Sequence, residues 1–249
     1  MRKIIALVLI FGSLCSFSQE NKKKMKPQET ETWEPKVTVV KPGENNSAPS
    51  DAIVLFDGTD LSQWVKVKDS TVANWHLNKD GSMTVKNKAG DIATKQNFGS
   101  IQLHIEWKSP SEVQGKSQSR ANSGIFIQSR YELQVLDNNN NDTYVNGQVA
   151  SIYKQSAPLV HAAVKTGEWN MYDIIYHAPE FDLGGNIAKQ ATITVLLNGV
   201  LVQDHFKIIG PTEFIGYPKY TKHGKAPIKL QDHRDDSRVS YRNIWLREL

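Results

Sequence analysis

The chain has 249 residues, of which 39% are hydrophobic and 22% charged, with a formal net charge of +4 and a single cysteine. That length suffices for one sizeable core. The charge is too small for a nucleic-acid binder, and the lone cysteine excludes an intrachain disulfide. The basic run Lys22, Lys23, Lys24 and Lys26 reads as a solvated tail.

The first residues have the form of a secretory signal. Arg2 and Lys3 make a positive start, Ile4 to Leu14 are apolar, and Ser16-Phe17-Ser18 sets small residues before a cleavage point at Gln19. The apolar stretch is too short to span a bilayer. Cys15 would be the lipidated residue of a lipoprotein, but Leu14 stands where such signals need a small residue. Residues 1–18 are therefore expected to leave, giving a soluble protein of the periplasm or outer surface. Residues 19–50, rich in Lys, Glu, Pro and Ser, read as a flexible polar leader. Residues 51–249 form the folded domain.

Within that domain the apolar residues recur with period two. Ile101, Leu103 and Ile105 alternate with Gln102, His104 and Glu106. Ile125 and Ile127 follow Gly124. Tyr131, Leu133 and Val135 alternate with Glu132, Gln134 and Leu136. An apolar run spans Tyr172 to Tyr176. Ile193, Val195 and Leu197 lead to Asn198-Gly199, a hairpin turn into Val200-Leu201-Val202. In the last strand, strict alternation places Arg242 on one face with Ile244 and Leu246, where a buried guanidinium needs a partner. No helical period and no long repeat is visible, so the pattern predicts an all-β sandwich or barrel.

Familiar catalytic signatures are absent: no G-x-S-x-G, no H-E-x-x-H, no GxGxxG and no P-loop. Glu180-Phe181-Asp182 begins a two-carboxylate glucanase strand, but Gly184 and Gly185 follow and no second Glu arrives. What stands out is a set of polar and aromatic residues set among apolar strands: Asn122, Glu132, Gln134, Asp137, Tyr153, Trp169, Asn170, Gln231, His233 and Arg242. Gathered on one sheet face, they would make a pocket with an acid, a base, a cation and rings for stacking. Each also has a plainer reading. Asn122-Ser123-Gly124 is a turn signal, Glu132 fits a solvated face, Arg242 fits a structural ion pair, and His233 fits a structural role. His104 and Glu106 have the spacing of two ligands but read as a solvent-facing edge. Asn138 to Asp142 reads as a hydrated loop rather than a calcium loop.

Six segments in order carry a resemblance: "VLFDGTDLSQW" from Val54, "NSGIFIQSRYELQVLD" from Asn122, "ASIYKQSAP" from Ala150, "GEWNMYDIIY" from Gly167, "LNGVLV" from Leu197 and "IKLQDHRDDSRVSYRNIWLREL" from Ile228. Together they resemble the 3-keto-disaccharide hydrolase family, also described as 3-keto-glucoside 1,2-lyase and 3-keto-2-hydroxyglucal hydratase. The resemblance implies a concanavalin A-like jelly-roll sandwich. It also implies cleavage of 3-keto-glucosides by C2 proton abstraction, elimination and hydration.

In those terms His233 or Glu132 is the base and Arg242 stabilises the oxyanion. Gln134, Asn122 and Asn170 bind hydroxyls, with Gln231 beside them, while Tyr153 and Trp169 stack on the ring. Asp137 orients His233 or helps to hold a divalent metal, the one cofactor considered. One departure is visible: family members often have Gly after the LQDH motif, where this chain has Arg234. The readings to set against this enzyme are a lectin-like carbohydrate-binding domain and a conventional glycoside hydrolase using Glu132 and Asp137.

Overall fold

Fifteen strands account for nearly all regular structure in the computed structural model, which describes residues 24–249. The expected signal peptide and Cys15 lie outside those residues. In chain order the strands begin with β1 (Ile53–Phe56), β2 (Trp64–Lys66), β3 (His76–Leu77), β4 (Met83–Thr84) and β5 (Ile92–Thr94). They continue with β6 (Ile101–Lys108), β7 (Ser123–Ile127), β8 (Tyr131–Val135), β9 (Asn170–His177) and β10 (Glu180–Phe181). The last are β11 (Ile187–Lys189), β12 (Thr192–Leu197), β13 (Val200–Lys207), β14 (Lys229–Leu230) and β15 (Ser240–Glu248).

They form two main sheets, a jelly-roll β-sandwich. The larger runs β13-β12-β9-β6-β15-β4-β3, with β1 also on β15, and the smaller runs β2-β5-β14-β7-β8. All pairings are antiparallel. Period-two alternation gives each strand one face for the shared core. Ile101, Leu103, Ile105 and Trp107 of β6 meet Tyr131, Leu133 and Val135 of β8 there, with Tyr172, Ile174 and Tyr176 of β9. At Asn198-Gly199 both residues have positive φ, 53° and 79°, as a two-residue hairpin matching the strand twist requires.

One expectation is corrected. Arg242 does not share a face with Ile244 and Leu246. A β-bulge lies between Arg242 and Trp245, so two residues of β15, Asn243 and Ile244, oppose one of β6, Ile105, and Asn243 takes φ 46°. The extra residue inverts the alternation: Tyr241, Ile244 and Leu246 enter the core, while Arg242 and Trp245 lie on the outer face. The compact unit that holds the sandwich runs from Val40 to Leu249. Its first segment closes on itself through Lys41 and Ser50, and the Asn46 carbonyl accepts from Trp245 Nε1 (2.9 Å) and Asn243 Nδ2 (3.0 Å). Asp51 then takes a two-pronged bond from Arg247. In residues 24–39 the only regular element is a 3-10 turn at Pro27–Thr30. No helix of the described residues is long and apolar enough to cross a membrane.

Candidate active site

β8 is buried on both faces. Its odd residues fill the core, so Glu132 and Gln134 point away from it, onto the outer face of the smaller sheet. β7 lies alongside and contributes Phe126, with Asn122 just before it; Gln231 and His233 follow β14. With Gln118, Tyr153, Thr212 and Phe214 these residues line a cavity of about 500 Å³. Six of the ten residues singled out by sequence thus meet in one place: Glu132, His233, Asn122, Gln134, Tyr153 and Gln231.

Glu132 is only 5% exposed. Its backbone N–H donates to Thr212 Oγ1 (3.0 Å), yet among the described residues its carboxyl has no hydrogen-bonding partner. Burial therefore pushes its pKa up to about 8; Lys229 works in the opposite direction and Asp91 adds to the rise. Gly124 makes room for it, since a Cβ there would stand 2.6 Å from Glu132 Oε1. The glycine of the "NSGIF" stretch is thus a spatial need of the acid opposite.

His233 is held by Asp235, whose Oδ2 lies 2.8 Å from Nδ1. With Nδ1–H donating to that carboxylate, the neutral ring keeps its Nε2 lone pair free. Asp232 pins the loop: its carboxylate accepts from the N–H groups of Gly90 (2.9 Å) and Arg234 (3.0 Å), while Asp91 accepts from its own N–H (3.0 Å). Arg234 sits at φ 63°, in the left-handed region that favours glycine. The loop shape is thus one that a glycine would adopt without strain, and here an arginine is held in it.

Amides make the remaining wall. Gln134 Nε2 donates to Gln118 Oε1 (3.0 Å), and Asn122 Nδ2 to the Gln118 carbonyl (2.7 Å). The amide oxygens of Gln134 and Gln231 are buried and have no partner among the described residues. Tyr153 Oη shares a 2.6 Å hydrogen bond with Tyr144 Oη.

The other four singled-out residues lie elsewhere. Arg242 and Trp169 are on the outer face of the larger sheet, the guanidinium stacked 4.1 Å from the ring centre and its Nε bonded to Glu106. Asn170 is a buried staple, its Oδ1 accepting from Val164 N and Asn198 Nδ2, both at 3.0 Å. Asp137 is 2% exposed and its carboxylate is already engaged by Ser109 Oγ (2.9 Å), Asn139 N (3.0 Å) and Arg120 Nε (3.4 Å). Both oxygens serve protein donors, so this carboxylate does not fit a metal ligand or an orienter of His233. Among the described residues no group of three His, Cys, Asp or Glu side chains could hold a metal ion. The Asn138 to Asp142 loop spends its amides internally: Asn138 Oδ1 accepts from Val149 N, and Asn141 Nδ2 donates to the Asp137 carbonyl, both at 2.7 Å.

His104 and Glu106, expected at a solvated edge, are buried. His104 Nδ1 bonds Asp173 Oδ1 (2.7 Å), its ring stacks on Trp245 (5.1 Å), and Glu106 accepts from Arg242 and from Asn243 Nδ2 (2.9 Å). Burial opposes both charges. The carboxylates of Asp173 and Glu106 nevertheless raise His104 to about 9, and His104, Asn243 and Arg242 lower Glu106 to about 2.

Sequence reasoning missed Gln118, Phe126, Thr212 and Phe214. The His233-Arg234-Asp235 spacing was a usable signal for the orienter; nothing local marked Thr212, which arrives from a distant loop.

Among known families, the sequence matches the 3-keto-alpha-glucoside-1,2-lyase-like domain over residues 51–247. Among solved structures, one protein of Parabacteroides distasonis ATCC 8503, named as glycosyl hydrolase-like, is 54% identical with a TM-score of 0.87, over 90% of this chain and 97% of that one. A second from the same organism, similarly named, is 19% identical with a TM-score of 0.59, over 80% of this chain and 94% of that one, and attests the fold alone. No curated protein matches the sequence.

Proposed function

From the premise that this chain belongs to the 3-keto-alpha-glucoside-1,2-lyase-like family, we propose that it cleaves the glycosidic bond of 3-keto-glucosides in the Glu132 cavity. The observation that carries this reading is a buried carboxyl without a hydrogen-bonding partner among the described residues, in one cavity with a histidine held by its own carboxylate. A carboxyl raised to about 8 is mostly protonated at neutral pH and can give its proton away. A neutral imidazole whose Nδ1–H is committed to Asp235 can take one at Nε2.

The ketone at C3 acidifies the proton on C2. His233 Nε2 takes that proton, the C1–O pair departs with the glycosidic oxygen, and Glu132 protonates that oxygen. A 3-keto-2-hydroxyglucal and a free alcohol remain. Water then adds across the C1–C2 double bond. Its oxygen bonds C1, Glu132 recovers a proton from it, and the imidazolium returns a proton to C2. Both residues end as they began, and the sum is hydrolysis. The unpartnered amide oxygens of Gln134 and Gln231 would accept from ring hydroxyls, and Phe126 and Tyr153 offer apolar walls. Arg242, across the sandwich, takes no part.

A conventional glycoside hydrolase needs two carboxyls across the scissile bond. Glu132 is the only carboxylate among the residues lining this cavity, and Asp137 is committed elsewhere. A lectin-like role would not need a raised acid. The protein acts outside the cytoplasm in this reading, after cleavage before Gln19, which the mass of the mature chain would report.

The test is incubation of purified protein with a 3-keto-glucoside in D₂O, followed by NMR. Cleavage with deuterium entering C2 is expected. An EDTA arm reports any metal requirement, and a nitrophenyl glucoside is the unoxidised control. Absence of both cleavage and exchange, with binding of intact sugar, would move the lectin-like reading to the front.

A further inference from the structure

A groove of about 650 Å³ beside the Glu132 cavity is lined by Lys68, Lys88, Gly90, Asp91 and Arg234, among others. We infer that it seats an anionic group of the substrate, a carboxylate or a sulfate, so that acidic 3-keto-glucosides are turned over in preference to neutral ones. This rests on the reading of the Glu132 cavity given above.

Three observations carry it. The first is charge. Lys68, Lys88 and Arg234 share the groove, and none of them pairs with a carboxylate among the described residues. The acids nearby are engaged otherwise. Asp91 gives one oxygen to Lys229 Nζ and the other to the Asp232 N–H, both at 3.0 Å. Asp232 takes the N–H groups of Gly90 and Arg234, and Asp69 is turned to Thr71. A groove lined by one sign of charge draws the opposite sign into it. The guanidinium offers a planar fork that matches a carboxylate or sulfate, and the two ammonium groups add point charges.

The second is position. Arg234 follows His233, so the groove and the catalytic cavity take consecutive residues of one loop. Lys229 spans the wall between them. Its Nζ bonds Asp91 of the groove and lies 3.7 Å from the ring centre of Phe126, which lines the cavity. A sugar held at Glu132 and His233 therefore needs to carry its anionic group past a single side chain.

The third is the backbone. Arg234 and Lys88 hold φ of 63° and 62°, in the region that glycine adopts freely and a residue with a Cβ does not. Both turns nevertheless carry a cation to the groove. Both are also tied down: Arg234 N–H donates to Asp232, and Ala89 N–H to the Lys86 carbonyl (3.0 Å). Val67 N–H donates to the Asp91 carbonyl (3.0 Å), which fixes the strand end next to Lys68. Fixed bases lower the entropic cost of gathering the three side chains on one anion.

The experiment measures kcat/KM of the purified protein on two matched pairs. One is 4-carboxyphenyl against 4-carbamoylphenyl 3-keto-glucoside, with the charge on the leaving group. The other is methyl 3-keto-glucoside with and without a 6-sulfate, with the charge on the ring. The acidic member of at least one pair is expected to be favoured about tenfold, worth about 1.4 kcal/mol, and the pair that responds tells which part of the substrate reaches the groove. The preference is expected to shrink as salt is raised. It is expected to persist in Arg234→Lys, to fall to about threefold in Lys88→Gln and to vanish in Arg234→Gly, a change that the backbone accepts. Equal rates within both pairs, or a preference unchanged in Arg234→Gly, would overturn the inference. If none of the four compounds is turned over, the catalytic reading fails by itself. Calorimetry with the unoxidised counterparts of the same pairs then decides the groove. An acid bound more tightly than its neutral partner, and no longer so in Arg234→Gly, supports it; equal binding, or none, overturns it.

Discussion

Two glutamates, Glu132 and Glu106, stand on opposite sides of the sandwich in nearly the same local setting. Each lies on the non-core face of a long-range antiparallel strand, and each is buried, at 5% and 8% exposure. Their acidities nonetheless diverge, to about 8 and about 2. Partners make the difference. Glu106 receives Arg242 and Asn243 and lies beside His104, whereas the Glu132 carboxyl receives no donor from the described residues. Burial alone favours the neutral acid, and burial with cations and amide donors favours the carboxylate. One side of the fold uses a buried acid as structure; the other keeps one available for a proton transfer.

The largest expected effect breaks the comparison at the catalytic end. Glu132→Gln should lower kcat on a 3-keto-glucoside by about 10²–10⁴-fold, the usual range for a general acid–base group. Its melting temperature should not fall, and above pH 8 it should exceed that of the parent, because the ionised form is the one that burial penalises. A variant with parental kcat would sink the catalytic role. Gly124→Ala approaches the same end indirectly. The new methyl would displace a carboxyl 2.6 Å away, and about a hundredfold loss of activity is expected from misplacement on that scale. Parental kinetics in that variant would show that the carboxyl can yield without consequence.

At the structural end the signs reverse. Glu106→Ala leaves His104 and Arg242 without their shared carboxylate, and about 3 kcal/mol of stability should be lost in urea unfolding while kcat stays within about twofold of the parent. A large loss of activity in a still-folded protein would couple the two faces and spoil the contrast.

The pH dependence sharpens it further. His104 has a folded pKa above its usual 6.5, so its contribution is complete below 6.5 and is lost as pH rises through about 9. Glu106 has a folded pKa below its usual 4.5, so its contribution is complete above 4.5 and is lost as pH falls through about 2. Glu132, raised, disfavours the fold progressively from pH 4.5 to about 8. Thermal melts should therefore decline from about pH 4.5 to 9, with Glu132 contributing from 4.5 and His104 from 6.5. Glu132→Gln should remove the part of the decline centred below pH 8, and His104→Gln the part nearer 9. Identical melting profiles for parent and His104→Gln would mean that the cluster does not titrate in this range.

The smallest effect concerns Arg242, which is partly exposed. Arg242→Lys should keep the charge but lose the flat stacking on Trp169, for about 1 kcal/mol, with activity intact. Lost turnover there would return Arg242 to a catalytic role.

The strands and both faces of β8 were legible because alternation over five residues admits one register. Glu132, Gln134, Asn122, Tyr153, Gln231 and His233 could be grouped because motifs and strand ends carry them near one another. Arg242 was placed on the wrong face because its β-bulge leaves no mark in hydrophobicity: Asn243 looks like any polar strand residue, and only its φ of 46° betrays it. Trp169, Asn170 and Asp137 had the chemistry of a site, but internal partners had already claimed them. Thr212 and Phe214 were beyond reach for another reason, since a loop's landing place depends on the whole sandwich.

The bulge also bears on which genetic changes β15 can absorb. On either side of Asn243 the strand keeps an ordinary two-residue beat, but the halves are half a beat apart. Replacing Asn243 would alter one side chain. Deleting it would restore an unbroken beat and leave Tyr241, Ile244 and Leu246 on the core face, whereas deleting Trp245 would turn the end of the strand over and send Leu246 toward solvent. Along this strand a lost residue is absorbed at the bulge and turns side chains over anywhere else.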